Sequence, residues 1–145
     1  MIQKVVAYIT WDRRLLVFRQ PAFPEAGVQV PAGTMEEGER PESAVLREAE
    51  EETGLEGLSV VSLLGSRDYL WPYYRDGQTV VRRHYFHLRF EGEAPERWTH
   101  CERTPSEGSE EAILFELWWV ELESELPILH GDLGDYLERV LVMDD

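Results

Sequence analysis

The segment from Pro41 to Gly54, PESAVLREAEEETG, constrains the fold of this chain more than any other part of the sequence. Proline is favoured in the first turn of a helix, because its missing N–H has no partner to lose there, and glycine commonly closes a helix. Good helix formers fill the space between them. The segment therefore predicts an amphipathic helix that must pack on another element. Its apolar side consists of Ala44, Val45, Leu46 and Ala49.

The polar side of this predicted helix carries a high density of charge. Residues three or four apart are neighbours on a helix, so Glu48, Glu51 and Glu52 should project to one side, while Arg47 can pair with Glu51. Like charges at this spacing each cost roughly 0.2–0.5 kcal/mol on an exposed helix. The cluster is either a solvated acidic face or a site for a hard divalent cation such as magnesium, manganese or calcium, which prefers oxygen ligands.

Length and composition are typical of a single domain. The chain has 145 residues, of which 43% are hydrophobic, enough for one domain over residues 1–145 with its own core. The first residues, MIQKVVAYIT, lack the features of a signal peptide, and no apolar run approaches the roughly 20 residues of a membrane span. We therefore expect a cytoplasmic protein with no membrane partner. The single cysteine, Cys101, excludes an internal disulfide, and its surroundings do not favour a zinc site.

The formal net charge of −15 argues against binding to a nucleic-acid duplex or to an anionic membrane. Both partners require clustered lysine and arginine side chains that displace counterions. If the substrate is phosphorylated, a metal ion must bridge the acidic protein and the acidic ligand.

Apolar runs with a high β-propensity surround the helix and predict a mixed α/β sandwich. The turn at Asp76 and Gly77 predicts that the strands on either side of it form a hairpin. The segment from Glu91 to Glu111 contains prolines, glycines and charges and is predicted to be a long loop. The predicted strands are Val5 to Thr10, Leu15 to Arg19, Val28 to Val30, Leu58 to Leu64, Thr79 to Phe90 and Ile113 to Leu122, followed by a helix from Leu133 to Val142.

The charged helix is part of a longer pattern, Gly-x5-Glu-x7-Arg-Glu-U-x-Glu-Glu-x-Gly-U, where U is a bulky aliphatic residue. This pattern is the Nudix box, and the chain resembles a Nudix hydrolase. The one departure is Ala49, which is smaller than the usual aliphatic residue but removes no ligand. The resemblance implies an α/β/α sandwich with a mixed central sheet. The fixed positions of the box are occupied by Gly33, Glu39, Arg47, Glu48, Glu51, Glu52, Gly54 and Leu55.

The resemblance also implies an activity. Nudix hydrolases split a pyrophosphate bond in a nucleoside diphosphate linked to another group, which here could be a nucleotide, a sugar nucleotide or a dinucleoside polyphosphate. They usually require Mg²⁺, for which Mn²⁺ can substitute. By position, the metal ligands would be Glu48, Glu51, Glu52 and a main-chain carbonyl of Ala32 or Gly33. Arg47 would hold a glutamate of the cluster, Glu39 would brace the loop, and Gly33 would let the backbone approach the metal.

The general base and the substrate contacts are less determined. Family members differ in which glutamate removes the proton, so we expect either Glu110 or Glu111, before the Ile113 strand, or Glu51 or Glu52 within the box. Arg82 and Arg83 are candidates for phosphate contacts, and Tyr73 is a candidate for stacking on a base. Arginines beside an acidic surface often form ordinary salt bridges instead, and aromatic residues of a sheet more often belong to the core. Further candidates of the same kind are Arg19, Arg75, His84, Phe23, Tyr69, Trp71 and Tyr74.

Alternative functions follow from the same family. The first is a module that senses a nucleotide without hydrolysing it, but such modules usually lose glutamates of the box, and none is lost here. Isomerase chemistry on a prenyl diphosphate would need a dedicated cysteine, for which Cys101 is weak support. The net negative charge of the chain disfavours the removal of a diphosphate from RNA 5′ ends. The expected partner is a small nucleotide-type substrate, and a homodimer is compatible with the sequence.

Overall fold

The computed structural model describes residues 1–70, 79–102 and 113–141. Within these ranges the chain forms a mixed sheet with the strand order β4-β5-β1-β2-β7-β6, and β3 adds to β1. β1 and β5 are parallel, and the other pairs are antiparallel. The elements are β1 Ile2–Trp11, β2 Arg14–Arg19, β3 Ala32–Thr34, α1 Pro41–Thr53, β4 Leu58–Leu70, β5 Val80–Phe90, β6 Arg97–Glu102, β7 Ile113–Glu121 and α2 Leu137–Leu141, with 3-10 turns at Pro24–Ala26 and Gly131–Gly134.

Both faces of the sheet are covered, as the alternation in the central strand β1 shows. Val5 and Ile9 belong to the apolar cluster under α1, whereas Val6 and Tyr8 belong to a second cluster on the opposite face. Successive side chains of a strand point to opposite faces, so a central strand that is apolar throughout requires two covering layers. The C-terminal segment forms the second layer through Leu133 and Val140. This arrangement confirms the predicted α/β/α sandwich.

Helix α1 packs its apolar side against one face of the sheet. Ala44, Val45 and Ala49 are buried against the sheet, as the pattern of the segment predicted. Gly54 closes the helix in the left-handed conformation with φ of 75°, and its N–H donates to the carbonyl of Glu50 at 2.8 Å. The predicted helix is therefore confirmed at both ends.

Two of the predicted segments were assigned the wrong secondary structure. The predicted loop from Glu91 to Glu111 contains strand β6, which pairs along its whole length with β7. The predicted strand from Val28 to Val30 forms only isolated bridges, and the regular strand, β3, starts at Ala32 instead. Pro31 has no N–H to donate to a ladder, which separates the bridges from β3.

The C-terminal helix is shorter than predicted. Residues Gly131–Gly134 form a 3-10 turn, and α2 covers only Leu137–Leu141. Tyr8 holds this segment on the sheet, because its hydroxyl donates to the carbonyl of Leu133 at 2.5 Å. No helix in the described ranges is long and apolar enough to cross a membrane.

Candidate active site

A cleft of about 580 Å³ opens between the charged side of α1, the loop that follows β3 and the end of β6. The packing of α1 determines which side chains enter it, because burial of the apolar side against the sheet turns the glutamates toward β3 and β6. The cleft is lined by Ala32, Gly33, Thr34, Met35, Glu36, Arg47, Glu48, Glu51, Glu52 and Glu102.

Carboxylates from two elements converge at the base of the cleft. Glu48 and Glu52 from α1 and Glu102 from β6 each offer an oxygen, and these oxygens lie within 4.8 Å of one another. Glu48 and Glu52 are only 9% and 7% exposed. Glu51 lines the same cleft at its rim, where its side chain is 35% exposed. The structure therefore groups Glu102 with two of the predicted ligands and places the third beside them.

Glu102 is the site residue that sequence reasoning missed. It lies outside the box and in a segment predicted to be a loop, so nothing in the pattern connected it with α1. No local sequence signal marked it, and only the exposure pattern of β6 in the structure shows that Glu102 shares a face with Trp98 and His100.

The backbone before the helix approaches the carboxylates closely. The N–H of Ala32 donates to the Glu52 carboxylate at 3.2 Å. A Cβ atom on Gly33 would overlap the carboxyl group of Glu48, so this position has room for glycine alone while Glu48 keeps its place.

Arg47 connects the loop to the helix. Its Nε and Nη2 donate to the two carboxylate oxygens of Glu39 at 2.8 and 2.9 Å, a bidentate pair, and its Nη1 donates to Glu48 at 2.9 Å. A longer contact of 3.4 Å reaches Glu51. Glu39 also accepts from the N–H of Glu36 at 2.9 Å, which fixes the turn of the loop. Charge-assisted bidentate pairs of this kind are among the strongest side-chain hydrogen bonds.

Burial and mutual repulsion disfavour the charged forms of the clustered carboxylates. Burial raises the pKa of Glu48 to about 7, against the lowering effect of Arg47, and the neighbouring Glu51 and Glu102 raise it further. Burial and then the charge of Glu48 raise the pKa of Glu52 well above its ordinary value. Burial and then the charge of Glu51 raise the pKa of Glu102. Glu39 is the opposite case, because the hydrogen bond from Arg47 lowers its pKa to about 2.

The chemistry of this donor set fits a hard divalent cation. The converging ligands are all carboxylate oxygens, which suit Mg²⁺ or Mn²⁺ better than softer metals. A cation would offset the mutual repulsion of these carboxylates, which adds to the effect of burial in raising the pKa of Glu48 and Glu52.

Comparison with protein families finds a match that covers nearly the whole chain. A family model described as NUDIX domain matches residues 1–139. The chain belongs to the Nudix family. A search of curated protein sequences finds no match. The family match confirms the predicted resemblance and the predicted class of enzyme, a Nudix pyrophosphohydrolase.

Solved structures share the Nudix fold along most of the chain. A MutT NUDIX hydrolase from Burkholderia pseudomallei aligns with 96% of this chain and 97% of its own at 25% identity and a TM-score of 0.64. An ADP-ribose pyrophosphatase from Streptococcus suis aligns over 97% and 89% at 16% identity and a TM-score of 0.60. A UDP-X diphosphatase has a TM-score of 0.63 at 21% identity; 94% of this chain aligns with it, but the chain spans only 59% of that protein.

A second cavity, of about 250 Å³, adjoins the carboxylate cluster of this Nudix protein and shares Ala32, Glu52 and Glu102 with the cleft. Its other walls combine two aromatic rings and two amide side chains with the aliphatic residues Val30, Ile113 and Leu133. The rings of Phe18 and Phe115 lie 4.7 Å apart between centroids. The amide groups are those of Gln20 and Gln29, which are joined by a hydrogen bond of 3.1 Å.

The predicted substrate contacts among the described residues all lie outside the lining of both cavities. Arg82 makes a bidentate pair with Asp68, at 2.8 and 3.2 Å, beside His84 on the outer part of the sheet. Arg83 lies over the ring of Tyr69, with its Cζ 5.1 Å from the ring centroid. Arg19 pairs with Glu116, and Phe23 is exposed. Tyr73, Trp71, Tyr74, Arg75, Glu110 and Glu111 lie outside the described residues.

Proposed function

We propose that this protein hydrolyses a pyrophosphate bond in a nucleoside diphosphate linked to another group, with Mg²⁺ or Mn²⁺ as the cofactor. The observation that carries this proposal is the convergence of Glu48, Glu52 and Glu102 within 4.8 Å in an open cleft. The names of two similar structures, a UDP-X diphosphatase and an ADP-ribose pyrophosphatase, support a diphosphate-linked small molecule as the substrate. Candidate substrates are nucleotides, sugar nucleotides and dinucleoside polyphosphates.

The clustered carboxylates would hold the cation, and the remaining residues would arrange the cluster. When bound, the ion neutralises phosphate charge and lowers the pKa of attacking water. Arg47 keeps Glu48 in place and ties it to the loop through Glu39. Glu51, at the rim, is more accessible to solvent than the buried ligands and is our candidate for the proton acceptor among the described residues.

The adjoining cavity provides a place for the group attached to the diphosphate. It opens from the carboxylate cluster, so a substrate whose phosphates lie at Glu52 and Glu102 could extend directly into it, alongside the wall that Phe18 and Phe115 form. Aromatic walls and amide groups suit a flat ring with polar edges, such as a nucleobase. This arrangement favours substrates with at least one base beside the hydrolysed bond.

The test is a substrate panel with a matched pair of variants. Purified protein is incubated with Mg²⁺ or Mn²⁺ and with nucleoside triphosphates, sugar nucleotides, dinucleoside polyphosphates and a 5′-triphosphorylated RNA, and the released products are quantified. We expect the protein to hydrolyse a small molecule in a metal-dependent reaction that EDTA abolishes. We expect no hydrolysis of the RNA. Glu52→Gln should abolish turnover, whereas Glu50→Gln, which changes an exposed glutamate of the same helix, should not. Absence of turnover across the panel would overturn the proposal.

A further inference from the structure

Strand β6 is tied to the last turn of α1 by two side chains that lie on the face of Glu102. The indole Nε1 of Trp98 donates to the carbonyl of Thr53 at 3.0 Å, and Nε2 of His100 makes a hydrogen bond of 2.8 Å with the carbonyl of Glu51. The last carbonyls of a helix have no partner within the helix. Trp98 and His100 therefore satisfy groups that would otherwise lack a protein donor.

The direction of the His100 bond follows from its partner. A carbonyl oxygen can only accept, so Nε2 carries the hydrogen in this contact. The imidazole ring lies close to Gly54, because a Cβ atom on this glycine would lie 2.8 Å from Nδ1. Gly54 thus both ends the helix in the left-handed conformation and leaves space for the ring.

These contacts position Glu102 relative to α1. Alternate residues of a strand share a face, so Trp98, His100 and Glu102 all point toward α1. Within the described residues β6 is an edge strand paired with β7. Repulsion between Glu102 and the buried Glu48 and Glu52 acts to separate β6 from α1, and the His100 hydrogen bond opposes this separation beside Glu102.

We propose that His100 is a positioning residue that holds Glu102 and the main chain of Glu51 in register for metal binding. This inference rests on the metal-binding part of the proposed function, since it gives Glu102 the role of a metal ligand. Residues that orient metal ligands typically change metal affinity about 10- to 100-fold when they are replaced. The effect of losing the His100 donor should therefore appear in metal affinity itself.

The experiment measures Mn²⁺ binding by electron paramagnetic resonance and thermal unfolding by circular dichroism. His100→Leu removes the donor, and we expect a dissociation constant for Mn²⁺ about 10-fold higher than that of the wild type. His100→Gln can still donate to the Glu51 carbonyl and should restore wild-type affinity. His100→Asn, which is polar but too short to reach, should behave like His100→Leu and replaces it if the leucine variant does not fold.

Trp98→Phe is the matched control, because it removes the other hydrogen bond to the same helix end but further along the strand from Glu102. It should lower the unfolding midpoint without weakening Mn²⁺ binding. Wild-type Mn²⁺ affinity in both His100→Leu and His100→Asn, or equal weakening in Trp98→Phe, would overturn the positioning role. Because binding is measured without substrate, failure of the wild type to hydrolyse the panel would overturn the proposed function and leave this inference standing.

Discussion

Gly33 and Glu48 occupy adjoining space, and a single added carbon on Gly33 would overlap the Glu48 carboxyl group. The overlapped atoms are the far end of a side chain, so the backbone need not move to relieve the overlap. We therefore expect Gly33→Ala to fold with nearly the thermal midpoint of the wild type but to lose most of its turnover, because Glu48 is displaced from Glu52 and Glu102. Circular dichroism and a turnover assay at saturating Mn²⁺ measure the two effects.

Gly38→Ala supplies the control for this variant. Gly38 lies in the loop that follows β3, has φ of 78°, and a Cβ atom on it would meet nothing within 4 Å. Alanine there should cost about 1 kcal/mol of stability through backbone strain and leave turnover unchanged. Equal activity in Gly33→Ala and the wild type would show that Glu48 does not need its observed position.

Glu102 is expected to contribute directly to metal binding. Glu102→Gln keeps the shape of the side chain but removes one of the clustered charges, so the Mn²⁺ dissociation constant should rise about 10-fold or more, a cost of about 1.4 kcal/mol. Titration calorimetry gives the affinity, and Glu93→Gln, at an exposed position before β6, is the control. If Glu102→Gln bound Mn²⁺ as the wild type does, the cluster would not include β6.

The contrast between Glu48 and Glu102 shows how far the sequence could predict the site. Glu48 lies in a helix whose period, first-turn proline and closing glycine are all local, so its face and its neighbours could be inferred from spacing. Glu102 lies on a polar edge strand, and its pairing with Ile113 depends on a segment elsewhere in the chain. No local pattern specifies such a contact. For the same reason the strand at Ala32 was missed, since its partner Val6 lies in β1.

The Glu39–Arg47 pair should make stability depend on acid pH. The hydrogen bond from Arg47 lowers the pKa of Glu39 from 4.5 to about 2 in the folded state. A carboxyl group whose folded pKa is lowered stabilises the protein fully above its unfolded pKa and loses this contribution as the pH falls from about 4.5 to 2. Glu39→Gln should therefore lower the free energy of unfolding by about 1.5 kcal/mol at pH 7 and by much less at pH 3.

Urea denaturation of the wild type and Glu39→Gln at both pH values measures this difference. Glu37→Gln, at an exposed position of the same loop, should have no comparable effect at either pH. A destabilisation by Glu39→Gln that stayed constant between pH 7 and pH 3 would mean that the charge of Glu39 does not carry the stabilisation.

Metal binding should stabilise the folded protein. An ion that binds only the folded state at 100 times its dissociation constant adds about 2.7 kcal/mol to the free energy of unfolding. Mn²⁺ should therefore raise the unfolding midpoint of the wild type and of Glu50→Gln, but not that of Glu52→Gln. A thermal scan with and without EDTA measures the shift. An equal rise in Glu52→Gln would place the binding ion elsewhere.

The cavity beside the cluster should determine substrate affinity. Gln20 lines it and donates to the amide oxygen of Gln29, so Gln20→Ala removes a polar group that a base could contact and loosens its neighbour. A hydrogen bond made equally in the bound substrate and in the transition state affects KM and leaves kcat unchanged. We expect Gln20→Ala to raise KM up to about 10-fold for the substrate that the panel identifies, in line with about 0.5–1.5 kcal/mol for one hydrogen bond.

Gln3→Ala is the control, because Gln3 contacts His84 and does not line the cavity. An unchanged KM in Gln20→Ala would exclude a substrate contact at this wall, whereas a fall in kcat alone would assign Gln20 to the arrangement of the catalytic cluster.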